Sequence, residues 1–344
     1  MTLQAARADF RPIASRRDAF SKARVVEVPG GLANDRFADA VREGLTSKPR
    51  FLPCRFFYDE EGSRLFEEIC GLPEYYLTRV EESILRRHRA EMVEGYATGP
   101  TIVEMGSGSS RKTRWLLEAA LRRYGAIEYV PIDVSRELLE SSARELADSM
   151  DGLSVTALAG DYRAALRYLG RRPGGERLYV FLGSSLGNYD MDEAVGLLSA
   201  VRDAMRPGDR FLLGTDLEKD SVILEAAYDD GAGVTAAFNK NLLARINREL
   251  GGQFDLEAFG HRSRYDRDEG RVEMHLVSLR RQRVQIGDAG LAIDFDEGEA
   301  IHTENSHKYT LTRLRRLAER SGFVEEAAWM DGDGWYRVQS WIRA

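Results

Sequence analysis

The chain has 344 residues, 43% of them hydrophobic and 31% charged, a globular balance that excludes a fibrous or largely disordered protein and leaves room for two domains. Its net charge of -7, from 56 acidic and 49 basic side chains, offers no positive field to gather a polyanion, so nucleic acid is not an expected partner. No run approaches the roughly 18 apolar residues of a membrane span, and Cys54 and Cys70, the only cysteines, suit a reduced cytoplasmic protein better than the alternative of a disulfide between them.

The first fifty or so residues are locally basic around Arg16, Arg17, Lys22 and Arg24 and lack the apolar stretch of a secretory signal, so they read as a partly ordered arm. FADAVREGL and the region around FFYDEEGSRLFEEI read as helical. From Thr101 onward short apolar runs alternate with amphipathic stretches, the pattern of a parallel sheet with crossover helices. TIVEM is the first strand, followed by a glycine loop and a helix carrying Trp115, Leu116, Ala119 and Ala120. EYVPIDVS is a strand ending at Asp133, a helix spans about 136 to 149, and SVTALAGDY is a third strand. LYVFLGSSLGN reads as a central strand covered on both faces. A helix over roughly 191 to 205 stops at Pro207 and Gly208, and RFLLGTD is the fifth strand.

After Asp216 the pattern changes. Residues 222 to 250 read as mainly helical and stop at Gly251 and Gly252. RVEMHLVSL and LAIDFDEGEAI are strand candidates with a turn at Gly287 to Gly290 between them. YTLTRLRRLAERSG is a helix, and VEEAAWM and WYRVQSWIR form a hairpin across Asp331 to Gly334. Five parallel strands closed by a helix and an antiparallel terminal strand are the arrangement of the class I S-adenosylmethionine-dependent methyltransferases. The expected fold is therefore α/β, a Rossmann-like methyltransferase sheet with a second, smaller α+β substrate-binding domain. Residues 1–85 and an insertion, 222–303, would form the second domain, and 86–221 with 304–344 the core.

The glycine loop VEMGSGSSRKT misses two phosphate-binding fingerprints at one position. Arg111 stands where both G-x-x-x-x-G-K-[ST] and G-x-G-x-x-G need a glycine. A methyltransferase loop needs only small residues that let the backbone approach the methionine part of the cofactor. Gly106 and Gly108 permit that turn, and Glu104 at the strand end could meet the cofactor's amino group. Asp133 is placed to accept the ribose hydroxyls, and Asp161 the adenine amino group, with Tyr162 beside it. Lys112 reads as a solvated residue or a cofactor contact.

The sequence resembles the histidine Nα-methyltransferases of ergothioneine biosynthesis, which make hercynine. From about residue 50 onward the resemblance is carried by RFFYDEEGSRLFEEI, LPEYYLTR, VEMGSGSSRKT, PIDVS, GSSLGN, AYDDGAGVTAAFNKNLLARINREL and TENSHKY. It implies that Tyr75, Asn188 and Tyr228 hold the α-amino and α-carboxylate groups of L-histidine. Glu304 and Ser306 would grip the imidazole ring with Met274 against it, and Tyr58 would stand near the amine that receives the methyl group. Gly106, Lys112, Asp133, Asp161 and Tyr162 match the cofactor side, which implies S-adenosylmethionine as the methyl donor. The proton is expected to leave to water oriented by Tyr58 and Asn188.

Without the resemblance, Tyr58 beside Phe56 and Phe57, Tyr75 beside Tyr76, and Met274 read as packing, and Glu304 as a solvated carboxylate. His88, His261, His275 and His302 show no metal spacing, so no metal is expected. A methyltransferase of the same build acting on another amino acid or small amine is the alternative, and a cofactor-binding regulatory module a more distant one. A monomer is expected.

Overall fold

Near-continuous apolar runs such as RLYVF are stable as strands only when both faces are covered, and the chain builds helices around them. The computed structural model describes residues 22–28, 35–134 and 136–344. In chain order come β1 (Ala23–Glu27), α1 (Asp35–Thr46), the short β2 (Arg50–Phe51), α2 (Glu60–Gly71) and α3 (Tyr76–Met92). The alternating part runs β3 (Thr101–Met105), α4 (Arg114–Tyr124), β4 (Ile127–Asp133), α5 (Arg136–Ser149), β5 (Leu153–Ala159), α6 (Tyr162–Arg171), β6 (Arg177–Phe181), α7 (Met191–Ala204) and β7 (Arg210–Asp216). Next are α8 (Ser221–Ala226), α9 (Val234–Leu250), β8 (Phe259–Asp266), β9 (Arg271–Ser278), β10 (Gln282–Ile286), β11 (Leu291–Phe295) and β12 (Ala300–His307). The chain closes with α10 (Leu311–Ser321), β13 (Phe323–Met330) and β14 (Tyr336–Arg343).

The large sheet has the order β1-β5-β4-β3-β6-β7-β14-β13, parallel from β1 to β7 and antiparallel over the last two strands. Chain order reverses at β3, which pairs with β4 on one side and β6 on the other. A crevice opens past the carboxyl ends of strands at such a reversal, which is where open α/β sheets take ligands. β2, β12, β9 and β8 form a second sheet, and β10 and β11 a separate hairpin.

The N-terminal helices and the insertion fold against each other. The rings of Phe57 and Phe238 are buried and stack at 4.5 Å between centroids, joining the turn before α2 to α9. Burying one such ring contributes about 1.5–3 kcal/mol, enough to make the two distant segments a single layer.

All five expected parallel strands and the terminal hairpin are present, and the differences lie outside them. Ala23–Glu27, inside the expected arm, is an edge strand parallel to β5, while Arg16 and Arg17 fall outside the described residues. LYVFLGSSLGN stops being a strand at Phe181 and continues as a helical turn, Ser185–Asn188. The helical stretch after 222 breaks at YDDGAG, where the Asp230 carboxylate accepts from the backbone N–H of Val234 at 3.0 Å and Thr235 at 2.7 Å and starts a new helix. LAIDFDEGEAI is two strands rather than one, because Gly298 turns the chain at φ +81°. β8 and β10 were not expected. The β12 strand runs across the expected domain boundary at 303/304, so Glu304 and Ser306 sit on the smaller sheet.

Candidate active site

The crevice beyond β3, β4 and β5 is made by the loop that β3 feeds. Gly106 and Gly108 take φ of +67° and +49° there, a region that favours glycine. A side chain at Gly106 would put its Cβ 2.6 Å from the Tyr162 hydroxyl, so only glycine lets the loop approach that ring. The backbone N–H of Gly108 donates to the Asp133 carboxylate at 3.0 Å, tying the loop to the end of β4. Asp161 caps α6 by accepting from Ala164 N–H at 2.9 Å, and Tyr162 follows as the first helical residue.

Glu104 is buried at the end of β3 and accepts from the hydroxyls of Thr113 and Tyr129. Burial pushes its carboxyl up to about 7, and those two hydroxyls pull the other way. Lys112 is paired with Glu81, a fully buried carboxylate on α3 that also accepts from Gly183 N–H at 2.9 Å and from the Tyr336 hydroxyl at 2.7 Å. Lys112 thus ties the glycine loop to the loop after β6. The Ser107 Oγ is buried with no hydrogen-bond partner among the described residues. That orphaned hydroxyl, the glycine-only approach to Tyr162 and the strand-end acids fit a small polar nucleoside ligand.

On the other side of Gly183 lies a narrow cavity of about 40 Å³, which must widen to take a ligand the size of an amino acid. Tyr58, Tyr75, Asn188, Tyr228, Met274, Glu304 and Ser306 all line it. Glu304 and Ser306 stand at alternate positions on β12 and so point to one face. Met274 is the direct cross-strand partner of Glu304, which puts it on that face too. A Cβ at Gly187 would lie 2.9 Å from the His307 carbonyl oxygen, so glycine is what lets the GSSLGN turn press Asn188 onto this strand.

The walls are aromatic. Tyr58 meets Phe66 edge-on at 5.5 Å and Phe238 at 5.9 Å, and Tyr75 meets Tyr228 at 6.1 Å. Burial raises the hydroxyls of Tyr58, Tyr75 and Tyr228 above the ordinary phenol range, so all three stay protonated at neutral pH. Burial also pushes the Glu304 carboxyl up to about 7, with the charge of Lys308 and the side chain of Asn188 working against it. The Cys54 thiol, pushed up to about 12 by burial and the nearby Glu304, is inert. Both cysteines are free thiols.

Beneath the cavity lies a set of residues the sequence reading did not single out. The Lys308 ammonium is fully buried and lies 2.9 Å from each of the Tyr228 hydroxyl, the Ser306 hydroxyl and Asp216 Oδ2. Asp216 also accepts from the Tyr76 hydroxyl at 2.7 Å and, at Oδ1, from Lys219 at 2.6 Å. A signal for Lys308 was present: 304, 306 and 308 share one parity along TENSHKY, so a strand that turns Glu304 and Ser306 inward turns this lysine inward as well. Phe66 and Phe238 carried no such signal, since an aromatic residue on a helix reads as core.

Among the described residues no group of His, Cys, Asp or Glu converges to hold a metal ion, and no helix is long and apolar enough to cross a membrane. A family model described as "Histidine-specific methyltransferase, SAM-dependent" matches residues 37–343. The histidine N-alpha-methyltransferase of Mycobacterium tuberculosis (strain CDC 1551 / Oshkosh) is 44% identical over 86% of this chain and 91% of its own length. The protein of the same name from Mycolicibacterium smegmatis is 42% identical over 91% of this chain and 98% of its own length. Ergothioneine biosynthesis protein 1 of Neurospora crassa is 32% identical over 83% of this chain, which spans 32% of that longer protein.

Proposed function

The chain belongs to the histidine-specific, S-adenosylmethionine-dependent methyltransferases, and from that premise we propose how crevice and cavity divide the work. The activity is methyl transfer to the α-amino nitrogen of L-histidine, repeated to the trimethylated product hercynine, the opening step of ergothioneine biosynthesis. S-adenosylmethionine supplies an activated sulfonium methyl group. In this reading Glu104, Gly106, Gly108, Lys112, Asp133, Asp161 and Tyr162 hold it in the crevice. Lys112 acts there by fixing the loop through Glu81 rather than by meeting the ligand with a free charge.

The cavity holds histidine. Tyr75, Asn188 and Tyr228 take the α-amino and α-carboxylate groups, Glu304 and Ser306 take the two edges of the imidazole, and Met274 lies against the ring. The observation that carries this reading is the pairing of a buried carboxylate with a hydroxyl at i and i+2 on one strand face. Strand spacing puts such groups about 6.5–7 Å apart along the chain. A ring with nitrogens on two edges can bridge them by hydrogen bonds of roughly 2.9 Å each. The Tyr75 hydroxyl and the Asn188 amide N–H can donate to a carboxylate, and the Asn188 amide oxygen and the remaining lone pair of the Tyr228 oxygen can accept from an amine.

An ammonium has no lone pair with which to attack, so a proton must leave before each transfer. Protonated phenols are poor bases, and Tyr58 therefore orients rather than accepts: its hydroxyl and the Asn188 amide direct a water that carries the proton away. As methyl groups accumulate the nitrogen becomes a permanent cation, and the ring face of Tyr58 attracts it by about 0.5–2 kcal/mol. We read the enzyme as a monomer. We divide the chain into a methyltransferase core and a substrate layer made of the N-terminal helices and the insertion, and place the enzyme in the cytoplasm, where free thiols persist.

The test is incubation with S-adenosylmethionine and each of the twenty amino acids in turn, followed by mass. Successive gains of one, two and three methyl groups on histidine are expected. Faster methylation of another amino acid would overturn the substrate assignment.

A further inference from the structure

Lys308 has no role in the reading above, yet its ammonium is completely buried and all three of its donors are committed to Asp216, Tyr228 and Ser306. The Tyr228 and Ser306 hydroxyls also lie 2.7 Å from each other. Each hydroxyl owns a single proton. A phenol is a stronger acid and a poorer acceptor than an alcohol, so the phenol donates in this pair. Ser306 Oγ then accepts twice, from Lys308 and from Tyr228, and its lone pairs are filled. Its own proton is left to point into the cavity that both residues line. Seen from the cavity, Ser306 is a donor only.

A hydroxyl that can only donate accepts no N–H. It can meet a ring nitrogen that carries a lone pair, whereas Glu304 two residues earlier needs a ring N–H. We propose that Lys308 is a positioning residue that, acting through Ser306, makes the enzyme take histidine with a neutral imidazole, its one N–H toward Glu304 and its bare nitrogen toward Ser306. This deepens the proposed roles of Glu304 and Ser306 and rests on them.

The buried charges agree. Lys308 and Lys219 share the Asp216 carboxylate, and Glu304, the one carboxylate among the residues lining the cavity, is pushed up to about 7 by burial and so is only partly ionised at neutral pH. Burial lowers Lys219 to about 8 against the charges of Asp216 and Asp331, and the neighbouring hydroxyls of Tyr58, Tyr75, Tyr76 and Tyr228 and the Cys54 thiol are all pushed up toward their neutral forms. Histidine with a neutral ring brings one ammonium and one carboxylate and adds no net charge. An imidazolium would add a net positive charge in a buried space that already holds the Lys308 ammonium and only a partly ionised Glu304, which is unfavourable.

The experiment uses histidine labelled with nitrogen-15 in the ring, bound to the full chain together with S-adenosylhomocysteine near pH 7, where the Glu304 carboxyl is still partly ionised and about a quarter of free rings are protonated. The expected nitrogen spectrum of the bound ring has one protonated and one lone-pair nitrogen. Two protonated nitrogens in the wild-type complex would overturn the proposal. Lys308→Met returns a lone pair to Ser306 and removes a buried positive charge, so its bound ring should become doubly protonated at the same pH. If it keeps the wild-type pattern, Lys308 is not the cause. Should that variant fail to fold, calorimetry of histidine binding near pH 7 in buffers of different ionisation enthalpy decides instead: protons should be released as the protonated fraction of the rings gives up its second proton, and proton uptake on binding sinks the idea. A wild-type protein that neither binds nor methylates histidine would bring down the cavity reading itself, an outcome distinct from bound histidine with the wrong protonation.

Discussion

The crevice and the cavity meet at Gly183 but are built in opposite ways. The crevice draws its side chains from residues 104 to 162, one uninterrupted run of strands and turns, and its acids already make local contacts, Asp161 to Ala164 N–H and Asp133 to Gly108 N–H. The cavity draws on residues from Tyr58 to Ser306, brought in from both sheets and from helices that are far apart in sequence. A crevice of the first kind takes shape as each βα unit folds. A cavity of the second kind exists only once the whole molecule has closed. Changes in one should therefore leave ligand binding in the other intact, and the sharpest tests try to break that independence.

The largest effect is expected at the cavity. Glu304→Ala removes a charge-assisted partner of the ring, a loss of about 1.5–3 kcal/mol, so kcat/KM for histidine should fall roughly ten- to a hundred-fold. The affinity for S-adenosylmethionine should be unchanged, and discrimination against amino acids of similar size without imidazole should weaken. Steady-state kinetics over a panel of amino acids check this, and full retention of histidine preference would return Glu304 to a structural carboxylate.

The matching change in the crevice is Asp133→Ala. Loss of the proposed ribose contacts should raise the dissociation constant for S-adenosylmethionine about ten-fold, with histidine recognition at saturating cofactor unaltered. Calorimetry with each ligand reads both halves. Equal weakening of both ligands would show that the two sites are one energetic unit.

Acidity separates the regions less sharply, because Glu104 and Glu304 are both pushed up to about 7 by burial. The sign is opposite for activity and for stability. Below pH 7 the Glu304 carboxylate takes a proton and can no longer accept the ring N–H, so kcat/KM should fall as pH drops. The folded state holds these protons more tightly than the unfolded chain, whose glutamates have pKa values of about 4.3, so the contribution of these two groups to stability rises as pH falls from above 7 toward 4.3. Glu304→Gln should flatten the rate trend and reduce the stability trend, leaving the part that comes from Glu104. Denaturant titrations at several pH values, beside the rate profile, test the pair of signs.

The smallest expected effect concerns motion. If the layer of N-terminal helices and insertion closes over the strands, histidine and cofactor together should protect the backbone around Tyr228 from hydrogen exchange more than either alone. The same protection with and without ligands would mean that the cavity is preformed, like the crevice.

The sequence by itself determined the large sheet apart from its edge strand β1. TIVEM, the run ending at Asp133 and RFLLGTD are strands because apolar runs of that length between turn residues have no better way to bury themselves, and VEMGSGSSRKT marks the crevice through glycines whose backbone angles nothing else adopts easily. The motifs that carry the resemblance picked out Tyr58, Tyr75, Asn188, Tyr228, Met274, Glu304 and Ser306 one at a time. Only the tertiary structure decided that they surround one cavity, that Glu81 rather than a ligand receives the Lys112 charge, and that Lys308 lies under Tyr228 and Ser306 with Asp216 behind it. Local pattern reports on neighbours along the chain, through strand parity and turn geometry. A buried charge is defined by its partners in space, and those of Lys308 come from β7, from the turn after α8 and from β12, so no window of the sequence contains them.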